Sequence, residues 1–442
     1  SNVKIKNFRG GVHPDYNKHL ASDQPIKVLA APKQVVIPMA QHIGAPAEPL
    51  VKKGDEVLLG QEIGKATKAV SASVHASVSG TVVAVEPRPT ISGRSVLSVV
   101  IENDGRDAKA PMNGHSDPIQ LSAQEIKQRI EAAGLVGLGG AAFPSAVKLN
   151  PPKDTKIEYL ILNGCECEPY LTADQRVMEE YTEEVILGAK LLAKACGAEK
   201  IIIAIESNKP EALRKIRASA GSNAIEVVAL VTKYPAGGEK QLIKAVLGRE
   251  VPEHGLPAQV GVIVHNVGTA WAAARACSIG QPLIERVVTV TGDGIKEPGN
   301  FLVRIGTPFS EVIAAAGGFA GEPEKVIAGG PMMGLAQFDL DVPVVKGVSG
   351  ILVLSRQTVK QFDPMPCIRC ARCVDVCPVY LMPVRIEQMA MNSKWDDAKE
   401  YGAMSCIECG CCTYICPSKR GLLHWIRLAK AEIVAAQRRQ TS

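Results

Sequence analysis

Aromatic side chains are scarce in this 442-residue chain, at 4% of all residues. A general nucleic-acid binder interleaves aromatics with a basic folded face, so that class is disfavoured and no nucleic-acid partner is expected. Long apolar runs are missing too. The best, Ile201–Ile205 and Gly350–Leu354, fall far short of the roughly 18 residues that mark a bilayer-crossing helix. The opening SNVKIKNFRGG is polar and lacks the apolar centre of a secretory signal. A soluble, cytoplasmic chain is the expectation. The body carries no charge excess of either sign. Residues 419–442 hold Lys419, Arg420, Arg427, Lys430, Arg438 and Arg439 against the single acid Glu432, which accounts for the whole formal charge of +5.

What is present is an ordinary globular composition, 46% hydrophobic and 21% charged, with length for about three or four domains. Cysteine is clustered. Of 13 cysteines, nine fall between Cys367 and Cys416, a distribution for metal rather than for a disulfide framework. Cys196 and Cys277 sit in apolar helical contexts and read as inert buried thiols.

Residues 28–105 alternate short apolar runs with turns such as Lys53-Gly54-Asp55 and Ser79-Gly80, a small all-β pattern. The stretch from Val51 to Val85 resembles the barrel sandwich of lipoyl and biotinyl carriers. Lys68 stands near the position of the modified lysine, but the carrier context around it is missing, and a solvated turn lysine is the better reading. Ser122 and Glu125 form a capping box that opens a helix ending at Gly134. Strand Glu158–Leu162, a long helix over about Thr172–Ala195, strand Lys200–Glu206, helix Lys209–Ala218 and strand Ile225–Leu230 then alternate, which predicts an α/β layer with mostly parallel strands. Its strand-end loops hold NGCECEP (163–169), KYPAGGEKQ (233–241) and HNVGTA (265–270), where open α/β sheets place ligands. Residues 285–345 read as strand, strand, helix with Thr307 as N-cap, and return strand, a β-grasp-type unit.

The cysteines carry the most specific pattern. Cys367-x2-Cys370-x2-Cys373-x3-Cys377-Pro378 is repeated as Cys406-x2-Cys409-x2-Cys412-x3-Cys416-Pro417. This is the bacterial two-cluster ferredoxin spacing, in which the fourth cysteine of each run ligates the other cubane. One [4Fe-4S] cluster is therefore assigned to Cys367, Cys370, Cys373 and Cys416, the other to Cys406, Cys409, Cys412 and Cys377. Zinc also uses paired cysteines but seldom eight at this spacing. Cys411 has no slot and reads as a spectator.

GLGGAAFPSAVK (137–148), NGCECEP, YPAGGEKQL, GLPAQVG and HNVGTA, in this order, together resemble the flavin- and NADH-binding subunit of respiratory complex I over residues 122–335. With GGVHP near the start, the barrel sandwich and the two-cluster unit, the chain resembles the C subunit of the Rnf (Rsx) electron transport complex nearly end to end. That resemblance implies FMN against Gly137, Gly139 and Gly140, with Lys148 near its phosphate. It places Asn163 and Glu166 near the ring or ribityl chain, and Gly237, Asn266 and Thr269 complete the site. Phe143, Glu168 and Glu239 match residues that contact NADH and take the catalytic positions. Departures are Cys165 and Cys167 in NGCECEP, Leu256 where an aromatic is usual, and Gly238 where a glutamate is.

The expected fold is α/β multidomain: an N-terminal barrel-sandwich (lipoyl-like) all-β domain over 1–115, a Rossmann-like FMN/NADH-binding domain over 120–280, a β-grasp module over 284–350, a two-cluster ferredoxin-like helical domain over 358–420, and a C-terminal amphipathic helix over 421–442. The function implied is NADH oxidation or NAD reduction in a membrane-bound, ion-translocating ferredoxin:NAD oxidoreductase, at the cytoplasmic face. The implied partners are a ferredoxin-like iron–sulfur subunit and membrane-embedded subunits, with membrane contact made through them. A diaphorase subunit of a soluble hydrogenase or formate dehydrogenase, and a non-catalytic electron relay, are the alternatives. For the basic tail, a helix packed on the protein's own core stands against docking to a membrane-embedded partner or anionic lipid.

Overall fold

A computed structural model describes residues 5–152, 154–221 and 225–441. Residues 1–4 and 442, at the outer ends of the first and last expected units, lie outside the described residues.

The centre is a four-stranded parallel sheet in the order Ile225–Leu230, Lys200–Glu206, Tyr159–Gly164, Val262–Asn266. Side chains alternate between its faces. Leu160, Leu162, Ile203 and Ile205 feed one core, while Ile161, Ile202, Ala204, Val228 and Val264 feed another. Both faces are covered, which is why the run 201–205 is apolar throughout. The capping box at Ser122 forms and opens the helix Ala123–Ala132. The expected single helix over 172–195 is broken into Ala173–Glu180 and Thr182–Cys196. Tyr181 leaves helical geometry at φ −118° and stacks on Trp271 at 4.9 Å.

The barrel sandwich packs a four-stranded antiparallel sheet against a three-stranded one, around Val35, Ile37, Ile63, Val74, Val82, Val99 and Ile101. Lys68 is exposed in the loop between strands Glu62–Lys65 and Val74–His75. Within the expected first unit, residues 5–28 pair with strands outside the two sandwich sheets. Lys6 bridges Leu230 at the edge of the parallel sheet, and Ile26–Val28 adds a parallel edge strand to Gly299–Arg304. Sheet edges left bare are a liability, and this segment closes two of them.

The β-grasp region is a six-stranded mixed sheet, Ile26–Val28, Gly299–Arg304, Glu285–Thr291, Gly350–Ser355, Pro323–Ala328 and Leu335–Gln337 in order. Its fourth strand runs to Ser355, so the unit extends past the expected limit at 350. The apolar run there is one of its buried inner strands. Thr307 is not the N-cap: Pro308 takes that place, and the Thr307 hydroxyl donates to the Arg304 carbonyl at 2.7 Å.

The last helix, Leu422–Thr441, is part of the cysteine domain rather than a separate element. Ile426, Ala429 and Ile433 pack with Ile386, Ala390, Ala398 and Ala403 in one core.

Candidate functional site

In the parallel sheet the chain steps outward from 159–164 to 200–206 to 225–230, then returns to the far side of 159–164 with 262–266. The topological switch point, where open α/β sheets bind ligands, is therefore between Tyr159–Gly164 and Val262–Asn266. Asn163 and Asn266 are register partners at that point. Asn163 donates to the Gly237 carbonyl at 2.8 Å and accepts from the Cys165 amide, which holds NGCECEP against the 233–241 loop. The Cys167 sulfur accepts from the Gly237 amide at 3.3 Å. Asn266 caps the helix Val267–Ser278 through Gly268 and donates to Asp174 at 2.8 Å.

The glycine loop lies over the same point. Its ends are pinned by Gly137 donating to the Phe143 carbonyl, and by Thr269, whose hydroxyl accepts from the Leu138 amide at 3.0 Å and donates to Val136. Gly139 and Gly140 are exposed. A Cβ on Gly139 would come within 3.2 Å of the Asn266 amide nitrogen, and Gly140 has φ +135°, which side-chained residues rarely adopt. This is a backbone cradle where a flat ligand can approach main-chain amides closely. Lys148 stands beside it, donating to Glu239 at 2.9 Å and to the Val264 carbonyl at 3.0 Å.

The cysteine domain holds two cavities. One is lined by Cys377, Cys406, Cys409 and Cys412, with Cys411 also at its wall. The other is lined by Cys367, Cys370, Cys373 and Cys416. The fourth cysteine of each run thus stands at the cavity of the other run. Backbone amides of Arg369, Glu408 and Leu381 donate to the sulfurs of Cys367, Cys406 and Cys377 at 3.3–3.4 Å, contacts that suit thiolates holding a cluster. Among the described residues no three Cys, His, Asp or Glu side chains converge tightly enough for a single metal ion. Four cysteines at each cavity are the donor set that a cubane takes.

Residues 130–275 match the family model for the Nuo51 FMN-binding domain, 6–106 the RnfC barrel sandwich hybrid domain, 287–336 the SLBB domain and 360–417 the 4Fe-4S dicluster domain. The chain is 50% identical to the C subunit of the Na(+)-translocating ferredoxin:NAD(+) oxidoreductase complex of Acetobacterium woodii, covering 99% of both chains. It belongs to the RnfC family. A relative in Clostridium ljungdahlii, the C subunit of a proton-translocating ferredoxin:NAD(+) oxidoreductase complex, is 47% identical over 99% of this chain and 96% of its own. Among solved structures, an NAD+-reducing [NiFe]-hydrogenase chain in the H2-reduced state shares the fold at TM-score 0.51 and 19% identity, over 75% of this chain and 69% of its own.

Within this RnfC chain, most of the residues expected at the flavin gather at the switch point: Gly137, Gly139, Gly140, Asn163, Gly237, Asn266 and Thr269. Glu166 is bonded to the start of the helix that carries Asp174. Its two carboxylate oxygens accept from the Asp174 and Gln175 amides at 2.6 and 3.2 Å, a charged cap on the helix Ala173–Glu180. Glu168 is partly exposed and tied to a neighbouring loop. Its oxygens accept from the Met332 and Met333 amides at 3.1 and 2.7 Å, and burial pushes its pKa up to about 7 against those bonds and the nearby Lys18. Glu239 instead occupies the first turn of the helix Glu239–Leu247 and is salt-linked to Lys148. Phe143 is half-buried at the loop's end, and Leu256 is exposed.

Three polar residues escaped the sequence, two of them buried. Lys18 donates to the carbonyls of Glu166, Glu168 and Leu171 at 2.6–3.0 Å and so shapes NGCECEP. Asp174, half-buried beside Glu166, has its pKa raised to about 7, first by desolvation and then by that charge. Arg286 donates to the Leu138 carbonyl inside the glycine loop. Only Asp174, in the first turn of a helix following NGCECEP, carried a local signal.

Among the described residues no helix is long and apolar enough to cross a membrane. The basic tail is engaged: Arg427 and Lys430 pair with Glu408, and Lys430 also donates to the Cys406 carbonyl.

Proposed function

We propose that this chain is the peripheral nucleotide-handling subunit of a membrane-bound, ion-translocating ferredoxin:NAD oxidoreductase, on the cytoplasmic face. It exchanges hydride between NAD(H) and FMN, and single electrons through two [4Fe-4S] clusters. The observation that carries this reading is the joining of a switch-point cradle to a pair of four-cysteine cavities within one chain. FMN, when bound, supplies the conversion between two-electron hydride chemistry and one-electron transfer.

The protein's own part is positional. The amides of Gly139 and Gly140 face the flavin, with the loop held at its base by the Gly137 amide on Phe143 and by Thr269 and Arg286. Lys148 anchors the phosphate, and Asn163, Gly237 and Asn266 form the floor. Glu166 contributes through the helix it caps. Glu239 and Phe143 face the nicotinamide nucleotide, while Glu168 acts by fixing the 329–334 loop beside NGCECEP.

A ferredoxin-like iron–sulfur subunit would meet the outer cavity. Cys367 and Cys370 are exposed there, among the exposed apolar residues Phe362, Met365, Ile368 and Met382 and the cations Arg369, Arg372 and Arg385. Charged rims of this kind steer an oppositely charged partner. Membrane-embedded subunits would supply the contact with the bilayer.

The test is the anaerobically purified chain, with flavin, iron and sulfide quantified and NADH-dependent reduction of a viologen followed. One FMN, two clusters and turnover are expected. A chain replete with both cofactors but inert to NADH overturns the catalytic reading in favour of an electron relay.

A further inference from the structure

We propose that Tyr234 is a positioning residue that sets the reduction potential of the cluster held by Cys377, Cys406, Cys409 and Cys412; the inference rests on that ligand assignment. Tyr234 lies on the same loop as Gly237 and is 1% exposed. Its amide and carbonyl pair with Val12 at 3.0 and 2.9 Å, so the GGVHP segment holds it from behind. Its hydroxyl crosses the domain boundary and donates to the Cys409 carbonyl at 2.8 Å. Its own carbonyl lies 4.0 Å from the Cys411 sulfur. Val12, Tyr234, Cys409 and Cys411 form a small buried core of their own, with Cys167, Met332 and Ile407 packed on it.

Packing alone does not require the hydroxyl, since a phenylalanine ring fills the same space. A buried phenol does need a partner, and the one it has is the peptide group of a cysteine at the cavity wall. That carbonyl belongs to the residue whose sulfur would hold the cluster, so its polarity reaches the ligand through the same residue. A donor on it draws electron density away and makes an added electron less costly, which raises the potential. Hydrogen bonding around ligand residues and burial are the levers by which a protein tunes such clusters. Cys409, which takes the Tyr234 bond, lines the first cavity and not the second, so the second serves as an internal reference.

The experiment is a redox titration of the full chain followed by electron paramagnetic resonance, in wild type and Tyr234→Phe. Iron and sulfide per chain are expected to stay at the wild-type level, one cluster potential to move to more negative values, and the other to stay. Replacing Tyr234 with 3-fluorotyrosine, a stronger donor of nearly the same shape, is expected to move the same cluster the opposite way. This arm decides the matter if the phenylalanine variant loses its clusters. Unchanged potentials in both variants, or two clusters moving together, overturn the proposal. A wild-type chain that binds zinc, or no iron, instead overturns the cluster assignment before any variant is made.

Discussion

Glu168 shows what burial does to a single carboxylate. Two backbone amides hold its charged form, yet desolvation prevails and lifts the folded pKa to about 7 from the ordinary value of 4.5. The folded chain therefore binds the proton more tightly than the unfolded chain does. Between about pH 4.5 and 7 the folded state holds more protons, so stability falls as pH rises through that window and levels off above it. Glu168→Gln removes the titrating group while one amide keeps an acceptor. The part of the slope between pH 5 and 7 that belongs to Glu168 should vanish, as read from thermal unfolding across a pH series. A variant that keeps the full wild-type slope would place the titration elsewhere. Asp174, raised to about 7 as well, is the group to examine next.

At the scale of elements, the fourth cysteine of each run stands at the cavity of the other run. Cys377 follows the first run but stands at the cavity of Cys406, Cys409 and Cys412. Cys377→Ser is expected to damage that cluster and spare the one at Cys367, Cys370, Cys373 and Cys416, as read by iron content and the two spectroscopic signals. Loss of the Cys367 cluster instead would mean the ligands do not cross. The terminal helix makes the second test at this scale. Its apolar stripe is spent on the cysteine domain's core, and Arg427 and Lys430 serve Glu408. Deleting residues 436–442 should leave low-salt association with purified membranes unchanged, whereas lost basic contacts to anionic lipid would each remove about 1 kcal/mol. Local signals made these elements legible: the x2-x2-x3-Pro spacing, the Ser122 capping box, and the period-2 apolar strands. Distant contacts were not legible. Nothing near Tyr181 announces Trp271, on which it stacks where the helix is broken. Nothing near Lys18 announces the three carbonyls it holds some 150 positions on. The motif places Glu166 beside the flavin, but nothing in it announces the bonds from the Asp174 and Gln175 amides to its carboxylate.

Across the whole molecule, one chain builds separate cores and then ties them together with buried polar groups. Lys346 is fully buried and donates to Ser73 of the barrel sandwich and to Gly134 of the flavin domain, both at 2.7 Å. The segment 5–28 closes edges of two sheets, and Tyr234 reaches the cysteine domain. The cysteine domain nevertheless keeps its own apolar core of Ile386, Ala390, Ala398, Ala403, Ile426, Ala429 and Ile433, so damage at the cradle should not travel to the clusters. Gly139→Val tests this separation. Even a bare Cβ at Gly139 meets Asn266 atoms at 3.2–3.5 Å, and two further methyl groups must either displace the Asn266 side chain or push the loop into the space above the switch point. A cradle that works by close backbone approach tolerates neither. A loss of about 3 kcal/mol of binding corresponds to more than a hundredfold in affinity, enough to leave the purified variant largely free of flavin. FMN released by denaturation should therefore fall to a small fraction of wild type, while iron, sulfide and both cluster potentials hold. If flavin is retained in full, the glycine loop is not the flavin's cradle. If iron falls together with flavin, the domains are coupled through Tyr234 more tightly than their separate cores imply.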